Sequence, residues 1–369
     1  MANKPCVLLV FGGVSSEHEI SCLTAGGVLG ALDPDRFEAL CVGISKAGDW
    51  LLADPAVVRS YRVDGRRLPQ VDPTWPAAVI HRHGRSVEVA RLDGDRLVDP
   101  RSVDLAFGPL HGPFGEDGTI QGQFEMLGLP YVGAGVLSSA AAMDKSIMKG
   151  LLVAAGLPVG PWRSLAPGEW RLHPERCRQR LADLSYPLFV KPARGGSSIG
   201  ISRVDRPERL DQAIETALRF DPKLVVEQGF TAVREVECAV LIDRARDEVE
   251  ASAPGEIEVL AQDRFYDFEA KYLPDQPLAL VVPAQLDPAT TAEVQRLARA
   301  ACRALDVEGL ARVDTFVTER GVFLNEINTM PGFTPTSLFP TMWAASGLDY
   351  PSLVTRLLEE ALSRPAGLR

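Results

Sequence analysis

The stretch Gly321–Gly332, GVFLNEINTMPG, decides how the rest of the chain is read. It opens as an apolar strand, then sets Glu326 and Asn328 two residues apart just before a turn. Residues two apart on a strand share a face. Upstream, GLARVDTFVTERG (309–321) supplies a second strand and a turn at Glu319-Arg320-Gly321, so a β-hairpin is predicted. Arg312 and Asp314 share a face of that second strand, and the hairpin brings all four polar residues opposite one another. Two carboxylates and an amide oxygen are hard ligands that suit Mg²⁺, with water and phosphate completing its shell. An arginine beside them suits an anion held on that metal. The same spacing also serves a cross-strand ion pair on a solvated sheet face. The Thr329–Gly332 loop that follows has little packing role, which favours the metal.

Working outward, KPARGGSSIG (191–200) joins two apolar strands through a glycine-rich loop. Its N–H groups and the hydroxyls of Ser197 and Ser198 can wrap phosphate oxygens, and Lys191 adds a point charge. The loop is neither a Walker A nor a dinucleotide fingerprint, and a plain turn has the same composition. Lys145 in MDKS sits on a predicted helix and Glu227 in VVEQ ends a strand. Taken singly, each is an ordinary surface or edge residue.

The 369-residue chain is long enough for two or three domains. Its net charge of −10 speaks against a nucleic-acid partner, because phosphate-backbone affinity rests on net basic patches. The six cysteines show no zinc-knuckle or CxxC spacing and read as buried free thiols. The N-terminal apolar run is short, enters a glycine turn and reads as a strand, not a signal peptide. No run approaches the roughly 18 apolar residues of a spanning helix. A soluble cytoplasmic protein without membrane contact is expected.

CVLLVFGG (6–13), the loop and helix in SSEHEISCLTAGGVLGAL with Ile20, Leu23 and Ala25 starting its apolar face, the strand in 37–53, and the strand, glycine-rich loop and short helix from 103 alternate in a way that supports a βαβ unit with a parallel sheet. Residues 54–100 are a patchwork of Asp, Arg, Gly and Pro, read as an irregular insertion with a small hairpin. One helix is expected across 140–156, strands in LPYVGAG and in PLALVVPAQL, and an amphipathic helix at 287–305 with Val294, Leu297, Ala301 and Leu305 on one stripe. The fold class is α/β, divided at 1–139, 140–234 and 235–369.

HGPFGEDG, MDK, VKP with GGSSIG, VVEQ, EAKY, RVD and NEINTMPG occur in this order. In this the sequence resembles the D-alanine–D-alanine ligases of the ATP-grasp superfamily, from VFGGVSSEHEIS (10–21) to NTMPGFTPTSLFP (328–340). The resemblance implies a three-domain ATP-grasp architecture. It implies ATP-dependent joining of two D-alanines through a D-alanyl phosphate, for peptidoglycan precursor synthesis. Residue by residue, it puts Glu17 on the ammonium of the first D-alanine and His111 near its carboxylate. Ser197 would bond to Glu17 and to a lid tyrosine, Tyr272, beside Lys271 in DFEAKYL (267–273). Lys145, Lys191 and the Ser198 loop would hold ATP phosphates, Glu227, Gln228 and Glu235 the nucleoside. Arg312 would stabilise the tetrahedral oxyanion. Asp314, Glu326 and Asn328 would ligate two Mg²⁺ ions, with Mn²⁺ as a substitute. Gly332, Ser337 and Leu338 would form the second D-alanine site. Tyr272 favours an amine over a lactate acceptor, and a homodimer is implied. A different ATP-grasp ligase and a non-catalytic nucleotide-binding regulator are the competing readings; the intact Arg312 and metal-ligand set argues against the latter.

Overall fold

A computed structural model describes residues 4–65, 67–259 and 278–364. The chain begins β1 (Cys6–Gly12), α1 (His18–Ala31), β2 (Glu38–Ile44), β3 (Trp50–Ala53), α2 (Pro55–Arg59). Then follow β4 (Ala78–His83), β5 (Ser86–Asp93), β6 (Arg96–Val103), β7 (Leu105–Phe107), α3 (Thr119–Leu127), α4 (Val136–Met143) and α5 (Lys145–Ala154). Next come β8 (Trp162–Leu165), α6 (Glu169–Leu172), α7 (Pro174–Leu181), β9 (Leu188–Pro192), β10 (Ser202–Val204), α8 (Leu210–Ala217) and β11 (Leu224–Gln228). The remainder is β12 (Arg234–Asp243), β13 (Glu248–Ala251), β14 (Gly255–Val259), β15 (Leu278–Val281), α9 (Pro288–Ala304), β16 (Gly309–Thr318), β17 (Gly321–Asn328), α10 (Leu338–Ala345) and α11 (Tyr350–Ser363).

The first sheet has the order β3-β2-β1-β7. β1 runs parallel to both β2 and β7, as the βαβ reading requires, and β3 adds an antiparallel edge. A central antiparallel sheet has the order β10-β9-β11-β8. The largest sheet runs β15-β14-β12-β16-β17, with β13 also on β12. The hairpin inferred from the sequence is its edge pair, β16 and β17, turning at 319–321.

Five expectations are corrected. The Thr329–Gly332 loop does pack: Thr329, Met330 and Pro331 are buried, and Met330 shares an apolar core with Leu9 and Leu310. Residues 54–100 are not irregular: they hold α2 and most of an antiparallel β4-β5-β6 meander. Its last strand exposes nearly every residue, so it carries no apolar alternation to read. The 140–156 helix is two, because Asp144 leaves helical geometry and caps α5, accepting from Ser146 N and Ile147 N. LPYVGAG forms only a single bridge, Tyr131 to Ala106. In PLALVVPAQL the strand is confined to β15.

Core residues of the central sheet lie wholly within 165–226, around Val190, Ile214 and Val226. By contrast, one core joins β1 residues such as Leu9 to Leu310, Phe333 and the apolar face of α11. The first and largest sheets are therefore packed together, while the central sheet carries its own core.

Candidate active site

Glu237 on β12, Asp314 on β16 and Glu326 on β17 are successive Cα partners across three strands. Arg312 pairs with Asn328 one step along. Carboxylates lined up like this repel. Arg312 partly neutralises them: its Nε lies 2.7 Å from both Glu237 and Asp314, and its Nη2 donates to Asp314 at 2.7 Å. Asn328 Nδ2 donates to Asp314 at 3.0 Å. Lys145 Nζ lies 3.5 Å from Glu326 and donates to Gly195 O at 2.9 Å, tying β17 to the glycine loop. Between Asp314 and Thr315 the register slips, so Asn325 has no partner on β16. Such a bulge re-aims neighbouring side chains.

Among the described residues, no three His, Cys, Asp or Glu side chains gather as a cation site. The donor set is instead two carboxylates and one amide oxygen on one sheet face. That fits Mg²⁺, which takes one or two carboxylates and completes its shell from phosphates and water.

Lys191 Nζ donates to Glu227 at 2.8 Å in a buried pair. Lys149 reaches the other oxygen of Glu227 at 3.1 Å and donates to Asn325 O at 3.0 Å. Burial pushes the Glu227 carboxyl up, but Lys149 and Lys191 outweigh it and hold it at about 2. Burial pulls Lys149 down, offset only in part by Glu227. For Lys191 the pull of burial is overcome by Glu227 and it rises. Gln228 turns its side chain outward, accepting from Ser185 N at 3.0 Å. Glu235 lies two residues from Glu237 on the same face of β12.

The first loop meets the glycine loop where Ser197 Oγ donates to Glu17 at 2.6 Å. Ser197 and Ser198 both hold left-handed backbone, φ +52° and +57°. That conformation is uncommon outside glycine and collects at ligand-binding turns. His111 is buried; its Nδ1 contacts Met330 O at 3.0 Å and its Nε2 contacts Thr24 Oγ1 at 3.3 Å. Burial alone would depress the imidazole, yet Glu116 beside it raises it. Glu116 is itself raised, by burial and by the nearby Glu17, against the pull of His111.

These groups frame two cavities. One is lined by Glu17, His111, Lys145, Ser197, Arg312 and Asn328. The other is lined by Leu23, Tyr61, Arg62, Arg312, Ser337 and Leu338. Arg312 and Gly332 border both. Ser337 precedes α10, and its hydroxyl is held 2.7 Å from Thr334 Oγ1. Lys271 and Tyr272 lie outside the described residues. Glu116, Lys149 and Glu237 escaped the sequence reading. Glu116 stood in plain view in HGPFGEDG, Lys149 lies one helical turn beyond Lys145, and Glu237 repeats Glu235 at strand spacing.

Family models described as D-ala D-ala ligase N-terminus and C-terminus match residues 6–134 and 151–359. The D-alanine–D-alanine ligase of Paenarthrobacter aurescens (strain TC1) is 47% identical, covering 100% of this chain and 98% of its own length. That of Kineococcus radiotolerans is 49% identical, covering 99% of each. The solved D-alanine–D-alanine ligase of Coxiella burnetii superposes with a TM-score of 0.81 at 34% identity, covering 98% of this chain and 95% of that one. The VanG D-Ala:D-Ser ligase of Enterococcus faecalis gives 0.81 at 32%, covering 97% and 100%. With both halves matched by its models and both sequence relatives near-complete in length and bearing its name, the chain belongs to the D-alanine–D-alanine ligase family, which joins two D-alanines with ATP for peptidoglycan precursor synthesis.

Proposed function

We propose that the two cavities hold the two D-alanines and that the peptide bond forms at Arg312. The carrying observation is that this one guanidinium borders both chambers. In the first chamber Glu17, oriented by Ser197, takes the ammonium of the donor amino acid, and His111 faces its carboxylate. That carboxylate accepts the γ-phosphoryl group of ATP to become an acyl phosphate, with ADP as the leaving group. Lys145, Lys191 and the Ser197-Ser198 loop hold the phosphates; Glu227, Gln228 and Glu235 hold the nucleoside. In the second chamber Ser337, Leu338 and Gly332 receive the acceptor, with the first N–H groups of α10 favouring its carboxylate. Its amine attacks the acyl carbon, and Arg312 donates to the oxyanion as phosphate leaves. Such a donor, aimed at charge that develops in the transition state, contributes about 3 kcal/mol or more. Asp314, Glu326 and Asn328 would hold two Mg²⁺ ions, or Mn²⁺, which supply charge neutralisation at the phosphates. Lys271 and Tyr272 belong to the lid in this reading.

The domains in this reading are 1–139, 140–234 and 235–369, and the separate core within 165–226 supports a distinct central unit. A homodimer in the cytoplasm completes the reading; among the described residues no helix is long and apolar enough to cross a membrane. Arg312→Ala is expected to abolish ADP release and D-alanyl-D-alanine formation while ATP still binds, measured by coupled assay, mass spectrometry and calorimetry. Unchanged turnover would remove Arg312 from its role.

A further inference from the structure

The second chamber has a wall that the family motifs do not supply. Tyr61 and Arg62 follow α2, in the 54–100 segment, where the sequence showed little recognisable pattern. Tyr61 is firmly seated. Its N–H bonds Val58 O at 3.0 Å and its hydroxyl donates to Gln70 O at 3.1 Å. Its ring meets Phe11 edge-on at 6.0 Å. It also presses on α1 so closely that a Cβ at Gly26 would lie 2.9 Å from Tyr61 Cβ.

The next residue of α1 seats a second part of the lining. A Cβ at Gly27 would lie 2.8 Å from Pro335 Cδ and 3.0 Å from Tyr350 Oη. Adjacent helix positions point about 100° apart on a cylinder about 10–12 Å across with its side chains. The Gly26-Gly27 pair therefore brings two loops to one short stretch of α1. One loop continues from Tyr61 into Arg62, the other from Pro335 into Ser337, and both line the same chamber.

Arg62 is exposed, and among the described residues no carboxylate forms an ion pair with it. Its flexible stem allows it to reach a ligand from an anchored backbone. A guanidinium matches the planar geometry of a carboxylate with two parallel hydrogen bonds. Of the charged groups on an acceptor amino acid, the amine must be neutral to attack, while the α-carboxylate stays ionised.

We propose that Arg62 determines acceptor specificity by binding the α-carboxylate of the second D-alanine in the chamber that it lines together with Ser337. This rests on the reading that the Ser337 chamber is the acceptor site. The charge of Arg62 selects a free α-carboxylate over an uncharged terminus.

The test compares D-alanine with D-alaninamide as acceptor in the full-length enzyme and in Arg62→Gln, Arg62→Lys and Ser337→Ala. Losing a hydrogen bond to a charged group is expected to raise the acceptor KM of Arg62→Gln about tenfold or more. The KM values for ATP and the first D-alanine, and kcat, should stay put. The preference for D-alanine over its amide should fall by the same factor, and Arg62→Lys should restore part of it. A general loosening of the fold would not produce that split. If Ser337→Ala changes acceptor KM while Arg62→Gln leaves the preference intact, the assignment of Arg62 is overturned and the chamber reading survives. If neither variant changes it, both are overturned.

Discussion

Lys149 shows how much a single buried charge can organise. It sits one turn beyond Lys145 on α5, is almost wholly buried, and holds both Glu227 and the carbonyl of Asn325. Removing it leaves Glu227 with Lys191 alone and strands a buried acceptor, a cost of about 1–3 kcal/mol. Lys149→Met is therefore expected to lower the unfolding free energy by about that amount and to raise KM for ATP more than KM for D-alanine. Acid unfolding gives a second readout. Glu227 sits at about 2 in the folded state against an ordinary 4.5, so its stabilisation is complete above about 4.5 and is lost as pH falls toward 2. With one lysine gone, the folded carboxyl titrates nearer its ordinary value, and the stability curve of Lys149→Met should be flatter across that window. A curve parallel to the parent enzyme's would show that Lys149 does not govern Glu227. Lys149 was not legible in advance because its partners come from β11 and from the β17 bulge, the latter 176 residues away. Helical spacing identifies a face; it does not say that a charged face is buried.

At the scale of elements, the β16–β17 hairpin was readable from period-two spacing and a turn ending in Gly321, while its bulge at Asn325 was not. A bulge is decided by pairing, and nothing in LNEIN announces one. The β4-β5-β6 meander was missed for a different reason: its outer strand is solvated on both faces, so the alternation that marks a half-buried strand never arises. Helix α1 offers a sharper test of element packing. Glycine inside a helix costs roughly 0.5–1 kcal/mol relative to alanine, so its presence needs a contact to justify it. Gly27 has one, against Pro335 and Tyr350; Gly30 has nothing within 4 Å of an added Cβ. Gly27→Ala is expected to cost about 1–3 kcal/mol of stability through overpacking and to weaken the acceptor more than ATP. Gly30→Ala, on the same helix, should stabilise by roughly 0.5–1 kcal/mol. Urea unfolding of the two variants checks the pair; equal shifts would mean the Gly27 contact carries no load.

Across the whole molecule, the six cysteines are all buried, one or more in each of the three largest apolar cores and in the central one. Burial pushes the Cys41 and Cys238 thiols up to about 12 and raises Cys22 and Cys302 as well. The thiolate is the reactive form. The native enzyme should thus show no fast reaction with an aromatic disulfide reagent, and all six thiols should titrate once it is unfolded. A fast-reacting native thiol would contradict this packing. The buried-thiol reading was available from apolar neighbours alone; the sharing of one core by the first and largest sheets was not, because it depends on contacts between residues some 300 positions apart.

Arg312 borders both cavities while leaning on Glu237 and Asp314. Its charge is a quantity that neither chamber owns. An anion that draws on it from one side alters the pull felt on the other, and linkage makes the effect mutual: the factor by which the first occupant changes the second's affinity is the factor by which the second changes the first's. With an amino acid in each chamber, as proposed, the two chambers belong to one thermodynamic cycle, closed through a single guanidinium, and an affinity measured for either has meaning only with the occupancy of the other stated.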